Sequence, residues 1–191
     1  MKEETLRLWQ KYEAQTTLSQ IKELYNAVKN TPPGDIVEVG SATGGTTIVL
    51  IDAAKQKGKH VYSIDPYPMD MEGKAFAYTP GLMNGYKEKF AANILGKHDN
   101  ITQFNEDLTD CIDDIPDELS VVFIDGCHEF SFVAREYELI WPKIIKGGRL
   151  YIHDIYWGEG QVSRTDKTGL TGMKDWIGKG VDVGDMLRIE K

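Results

Sequence analysis

Two short stretches of this chain end in side chains able to do chemistry: Val121-Val122-Phe123-Ile124-Asp125-Gly126-Cys127-His128 and Leu150-Tyr151-Ile152-His153-Asp154. Each is an apolar, strand-forming run that stops at an acid. Asp125 and Asp154 are therefore expected at the ends of neighbouring strands, on the edge where open parallel sheets bind ligands. A few carboxylates plus water serve a hard cation such as Mg²⁺, which can hold a substrate oxygen and lower its pKa. His153 either joins Asp125 and Asp154 as a third metal ligand or points into the sheet. As a ligand, its imidazole suits Mn²⁺, Fe²⁺ or Zn²⁺ better than Mg²⁺. His128, in a turn three residues beyond Asp125, is the candidate general base because imidazole titrates near neutral pH. Seen alone, a turn histidine is more often structural.

A second group of residues lies upstream. Asp35-Ile36-Val37-Glu38-Val39-Gly40-Ser41-Ala42-Thr43-Gly44-Gly45 reads as a buried strand running into a glycine turn, and Thr46 to Ile51 begins a helix. Glycines at 40 and 44 let the backbone approach a ligand without a Cβ in the way. The amides at the helix start favour a carboxylate or phosphate. The spacing Glu38-x-Gly40-x-x-x-Gly44 is not the Gly-x-Gly-x-x-Gly of dinucleotide sites. Val61 to Asp65 reads as the next strand, and Asp65 stands about 20 residues beyond Gly44, where an acid can accept hydrogen bonds from both ribose hydroxyls. A strand-ending Asp can also merely cap a turn. The same acid would serve a nicotinamide cofactor, so it argues for a nucleoside and leaves the reaction open.

The elements that must position these residues follow from periodicity. Thr17-Leu18-Ser19-Gln20 looks like a capping box, after which Ile21, Leu24, Tyr25 and Val28 recur at helical spacing. A helix from about Thr5 to Tyr12 precedes it, its Leu8, Trp9 and Tyr12 covering the core, the active site or a second subunit. Asn30-Thr31-Pro32-Pro33-Gly34 ends the second helix and delivers the first strand. Pro66 to Gly81 is long for a connection and reads as a lid, with Met69, Met71, Phe76 and Tyr78 available to line a cavity or to pack the loop itself. A helix from about Met83 to Leu95 follows, then a strand from Ile101 to Asn105. The acidic run from Glu106 to Glu118 reads as a solvated face, with no Ca²⁺-loop spacing. Beyond Asp154, a Gly- and Thr-rich loop with Tyr156 and Trp157 sits where acceptor specificity would be set. A short helix near Met173 to Gly178 and a strand from Asp185 to Glu190 finish the pattern. That leaves room for one convincing closing strand, so the sheet edge is open or completed by another subunit, and a homodimer is the expectation.

The order of strand, Ile-Asp-Gly-x-His-x-aromatic, helix, Pro-x-x-x-x-Gly-Gly, strand, His-Asp, from Val121 to Asp154, resembles the small class I S-adenosylmethionine-dependent methyltransferases related to macrocin O-methyltransferase. Together with the Gly40–Gly44 motif and Asp65, the resemblance spans Asp35 to Asp154. It departs at Phe130, where Tyr is usual, at Cys127, where a polar residue is common, and at Glu136, where Asp is frequent. The resemblance implies a doubly wound, mostly parallel Rossmann-like α/β sheet of about six to seven strands, preceded by N-terminal helices. It implies that Glu38, Gly40, Ser41, Gly44, Asp65, Asp107 and Asp125 line the S-adenosylmethionine site, with Asp107 or Glu106 facing the adenine amino group. Asp125 and His128 are then catalytic, with Asp125, His153 and Asp154 holding Mg²⁺ or Mn²⁺. The implied reaction is metal-assisted O-methylation of a hydroxyl on a small molecule such as a sugar, natural product or phenolic. A methyltransferase-like binding protein without activity and an NAD(P)-dependent oxidoreductase are the rival readings.

Composition sets the outer bounds. With 191 residues, 41% hydrophobic and 27% charged, the chain is expected to form one domain. Residues 1–30 would be a helical cover, 35–154 the cofactor and catalytic core, and 155–191 the substrate loop and last strand. A net charge of −8 argues against a nucleic-acid partner. No apolar run reaches membrane-spanning length and Met1-Lys2-Glu3-Glu4 lacks a signal-peptide core, so a cytoplasmic location is expected. Cys111 and Cys127 read as free thiols.

Overall fold

The computed structural model describes residues 1–67, 85–155 and 170–191. Two helices, α1 (Glu3–Lys11) and α2 (Leu18–Asn30), lead into alternating strands and helices: β1 (Asp35–Val39), α3 (Gly45–Lys55), β2 (Val61–Ile64), α4 (Tyr86–Asn93), β3 (Ile101–Phe104), α5 (Leu108–Cys111), β4 (Leu119–Ile124), α6 (Phe130–Ile140) and β5 (Ile144–Ile152). The described chain closes with α7 (Met173–Ile177), β6 (Val181–Val183) and β7 (Met186–Glu190). The strands form one seven-stranded sheet in the order β3-β2-β1-β4-β5-β7-β6. β1 to β5 pair in parallel, and β7 runs antiparallel to both β5 and β6. This is the doubly wound, mostly parallel α/β sheet expected from the sequence.

Both faces of the sheet are covered, which is why β4 is buried at every position. Ile36, Val121, Phe123 and Tyr151 pack with α2 and α3, while Val37, Val39, Val122, Ile124, Leu150 and Ile152 pack with Leu108, Val133 and Ile140 on the other side. That alternation is the two-residue period of a pleated strand. Helix α3 is apolar on almost every face because it lies between the sheet and α1 and α2. The capping box at the start of α2 forms as expected: Gln20 N–H donates to Thr17 Oγ1 at 3.4 Å and Thr17 N–H to Gln20 Oε1 at 2.6 Å. Tyr12 is buried in the core, with Leu8 and Trp9 packed against it, so the end of α1 covers the core.

The single closing strand expected from the sequence is corrected to two, β6 and β7, joined by the two-residue turn Gly184–Asp185. The chain itself thus supplies the strand that a second subunit was invoked to complete. Gly184, at φ +65°, takes the first turn position, where a hairpin turn of this hand favours glycine. Asp185 lies in the turn rather than in the last strand. Met69, Met71, Phe76, Tyr78, Tyr156 and Trp157 lie outside the described residues. No helix of the described residues is long and apolar enough to cross a membrane.

At the amino edge of the sheet, Lys59 is buried between α3 and β2. Its ammonium donates to the carbonyls of Val28 (2.9 Å) and Thr31 (3.3 Å) and to the hydroxyls of Thr31 (3.1 Å) and Ser120 (3.0 Å). It closes the C-terminus of α2, where carbonyls lack helical partners and a cation is favoured. Burial, with some repulsion from Lys57, pulls its pKa down to about 8.

Candidate active site

At the carboxyl edge, the end of β1 is pressed against the end of β4. A Cβ on Gly40, which sits at φ +88°, would stand 2.3 Å from the Asp125 carbonyl oxygen. Only glycine permits this approach. The amides that follow do not face open space. Ser41 N–H and Ala42 N–H donate to Asp65 Oδ2 at 3.0 and 2.8 Å, and Tyr67 N–H donates to Oδ1 at 2.9 Å. The anion expected at the turn is thus partly the chain's own carboxylate. Burial pushes the Asp65 pKa up, and these three amides pull against it. Ala42 and Tyr67 hold φ of +45° and +47°, a left-handed conformation that non-glycine residues seldom adopt outside functional sites. The Tyr67 hydroxyl meets Ser41 Oγ at 3.3 Å and accepts from Gln103 Nε2 at 3.0 Å.

Glu38 points from β1 towards α3. Its Oε2 accepts the Thr47 hydroxyl proton at 2.6 Å, while Oε1 is buried without a partner. Burial pushes its pKa up to about 8, so the group is an acid, not a carboxylate, at neutral pH. Gly44 caps α3 in a left-handed conformation. The link between α1 and α2 packs against it: the Thr43 hydroxyl donates to the Tyr12 carbonyl, and the Thr16 and Thr46 hydroxyls lie 3.0 Å apart.

The ends of β4 and β5 carry the second group. Asp125 N–H donates to the Val39 carbonyl at 2.8 Å and His153 N–H to the Ile124 carbonyl at 2.9 Å, so the ladder continues past the strand ends and fixes both residues. His153 Nδ1 lies 3.0 Å from Asp125 Oδ1 and 3.2 Å from Asp154 Oδ1. Asp154 Oδ2 lies 3.2 Å from His128 Nε2. The structure therefore brings Asp125, His128, His153 and Asp154 together. The His153 ring is buried edge-on against Phe123, and its Nδ1 faces the two carboxylates. Burial alone would lower the His153 pKa, but Asp125 and Asp154 outweigh it and push it up to about 10. Burial would raise the Asp154 pKa, but His153 above all, with His128 and Asp185, holds it below the usual carboxylate range. Burial, with the charge of Asp154, holds Asp125 above it. Asp154 itself sits at φ +55°.

Sequence reasoning missed Asp185. The β6–β7 turn brings its Oδ1 to 3.7 Å from His153 Nε2, and its carbonyl accepts Ile155 N–H at 3.0 Å. The Gln20 side-chain amide donates to its carboxylate. The signal was Val183-Gly184-Asp185-Met186, a glycine-first turn pair between apolar residues.

The residues present fit a divalent cation. Donor atoms of Asp125, His128 and Asp154 lie within 4.8 Å of one another, as do those of His153, Asp154 and Asp185. Two octahedral ligands about 2.1 Å from an ion and at right angles stand about 3.0 Å apart. The 3.0 and 3.2 Å separations around His153 Nδ1 have that spacing. Neither buried ring nitrogen of His153 has an aligned hydrogen-bond partner.

Of the two acids considered for adenine, Glu106 is exposed and Asp107, ahead of α5, is half-buried. Glu136 of α6 has a buried, unpartnered Oε2, and burial together with the Asp107 charge raises its pKa to about 8. The acids at 110, 113, 114, 117 and 118 are exposed, as a solvated face requires.

Residues 37–155 match a family described as a methyltransferase domain. The chain is 25% identical over 121 residues to an uncharacterized protein of Acanthamoeba polyphaga mimivirus, a match covering 62% of this chain and 50% of the other. It spans about half the length of that curated relative. Among solved structures it resembles the O-methyltransferase TomG from Streptomyces achromogenes, involved in tomaymycin synthesis and in complex with SAM, at a TM-score of 0.67 and 13% identity over 100% of this chain and 91% of that one. It also resembles the MycE methyltransferase of the mycinamycin pathway, in complex with Mg and SAH, at a TM-score of 0.65 and 15% identity over 100% of this chain and 55% of that one. At such identities the likeness is one of fold.

Proposed function

Since this chain belongs to the methyltransferase domain family, we propose that it transfers a methyl group from S-adenosylmethionine to a hydroxyl oxygen of a small molecule, assisted by a divalent cation. The observation that carries this reading is the contact of Gly40 with the Asp125 backbone. The turn that opens the nucleoside pocket and the acid that opens the histidine cluster are one continuous surface. A methyl donor held by the first would stand next to an acceptor oxygen held by the second, and in-line transfer needs that adjacency.

Bound S-adenosylmethionine supplies an electrophilic methyl group, and a divalent ion supplies a hold on the acceptor oxygen and a lowered pKa. The remaining tasks fall to the chain. Asp65 Oδ1 accepts one amide and keeps capacity for a ribose hydroxyl. Asp107, the less exposed of its pair, is assigned to the adenine amino group. Glu38, protonated and with one oxygen unpartnered, lies behind the glycine turn and avoids a further negative charge beside Asp65 and Asp125. Asp125 and Asp154, with an imidazole, are assigned to the cation. His128 takes the acceptor's proton at a ring nitrogen, its Nε2 being oriented by Asp154 Oδ2. TomG and MycE, solved with SAM and with Mg and SAH, support the donor and the ion by likeness of fold.

The test is calorimetric titration with S-adenosylhomocysteine, with and without Mg²⁺ or Mn²⁺, and with NADH as competitor. Micromolar binding of S-adenosylhomocysteine, lost in Asp65→Ala, is expected. Binding of NADH alone would overturn the methyltransferase chemistry in favour of a nicotinamide enzyme. Binding of neither would favour an inactive member of the family.

A further inference from the structure

We propose that Asp185 is the positioning carboxylate behind His153, fixing its imidazole as a metal ligand through Nδ1 and so giving the site a preference for a transition-metal dication over Mg²⁺. This rests on the divalent-cation reading above and names the ion class and the residue that sets it.

His153 is 4% exposed, and neither of its nitrogens is aligned with a hydrogen-bond partner. Buried polar atoms left so are rare in folded proteins unless something else occupies them. On one side Nδ1 converges with Asp125 Oδ1 and Asp154 Oδ1 at the spacing of neighbouring octahedral ligands. On the other side Nε2 faces Asp185 Oδ1 at 3.7 Å, beyond direct hydrogen-bond range and brought within it by a small rotation of the turn side chain. A proton on Nε2, drawn towards that carboxylate, leaves the Nδ1 lone pair for the ion. Metal-bound histidines commonly carry such a carboxylate on their outer nitrogen.

Asp185 is held for this task from three directions. The two-residue turn fixes its backbone, its carbonyl accepts Ile155 N–H at 3.0 Å, and its carboxylate accepts the Gln20 amide. Gln20 Oε1 is itself engaged by Thr17 N–H at 2.6 Å, so the opposite end of that side chain is aimed at Asp185. The capping box of α2 therefore sets the carboxylate that sets the imidazole. An imidazole donor in an otherwise carboxylate site shifts preference towards Mn²⁺, Fe²⁺, Co²⁺ or Zn²⁺.

A double-mutant cycle with Co²⁺ as the probe tests this, read by visible absorption and by calorimetry, with Mg²⁺ titrated in parallel. Asp185→Asn is expected to lower Co²⁺ affinity about 10- to 100-fold. On a His153→Asp background, where no imidazole remains to orient, the same change is expected to have little effect, and the preference for Co²⁺ over Mg²⁺ narrows. Thermal melting and S-adenosylhomocysteine binding report the fold of each variant, and Asp185→Ser takes the place of Asp185→Asn if the latter does not fold. Equal losses on both backgrounds would overturn the proposal by making Asp185 a direct ligand or a purely structural residue. Undiminished Co²⁺ affinity in Asp185→Asn would overturn it too. A chain that binds S-adenosylhomocysteine but no Co²⁺ would also overturn it and leave the cofactor reading standing. Co²⁺ binding with the predicted cycle but without S-adenosylhomocysteine binding would support it while sinking the methyltransferase chemistry.

Discussion

The two edges of the sheet bury charge in opposite ways. At the amino edge the Lys59 ammonium sits among four oxygens, two carbonyls and two hydroxyls, which more than match its three protons. At the carboxyl edge Glu38 Oε1, Ser63 Oγ and both nitrogens of His153 are buried without aligned partners. Among the described residues, three of the four non-glycine residues at positive φ, Ala42, Tyr67 and Asp154, lie on that edge as well. A satisfied buried charge ties secondary structure together. Buried polar atoms without aligned partners, on an edge of strained backbone, leave donors and acceptors for a ligand.

The comparison can be broken by removing groups from each edge. The largest effect is expected from His128→Ala, which should lower turnover about 100- to 10,000-fold while S-adenosylhomocysteine affinity persists by calorimetry. Unchanged turnover would remove His128 from the chemistry. Gly40→Ala should cost about 2–4 kcal/mol in denaturant unfolding, since a Cβ there meets backbone, not a movable side chain, at a φ that alanine disfavours. Lys59→Met should cost about 1–3 kcal/mol, because the carbonyls of Val28 and Thr31 lose a buried donor. A loss confined to cofactor affinity would instead mean that the two edges are coupled.

Glu38→Gln should act in the other direction. The folded Glu38 carboxyl keeps its proton up to about 8, whereas the unfolded one gives it up near 4.5, so native stability falls as pH rises between those values. Glutamine has no proton to lose. The variant's advantage in thermal melting should therefore grow across that window, by at most about 1.4 kcal/mol per pH unit. A flat difference would mean that Glu38 is ionised in the folded chain.

Strands β1 to β5, in their order along the chain, and the capping box were legible in the sequence because each rests on local signals: apolar runs ending at Asp65, Asp125 and Asp154, and a Thr17–Gln20 pair at fixed spacing. The proximity of Asp125, His128, His153 and Asp154 was legible because parallel strands of similar length deliver their final residues to one edge. The partners of Asp65 were not, since they depend on Ala42 and Tyr67 adopting a conformation that neither residue type advertises. Asp185 was hidden for a related reason. Its place depends on a two-residue turn inside what reads as one strand, and on β7 inserting between β5 and β6.

That insertion has a bearing on how the chain assembles. Among the described strands β6 pairs with β7 alone, so the hairpin joins the sheet only through β7 on β5. Its ties to α2, Gln20 to Asp185 and Glu23 to Arg188, each join positions 165 apart, the kind of long-range closure that comes late in folding. The glycine turn and Asp65 are tied across an interval of only 24. On a growing polypeptide the glycine turn and Asp65 are made long before Asp185. The β6–β7 hairpin thus works as a time stamp on synthesis, separating a chain that has only the Asp65 turn from one that also has the carboxylate beside His153.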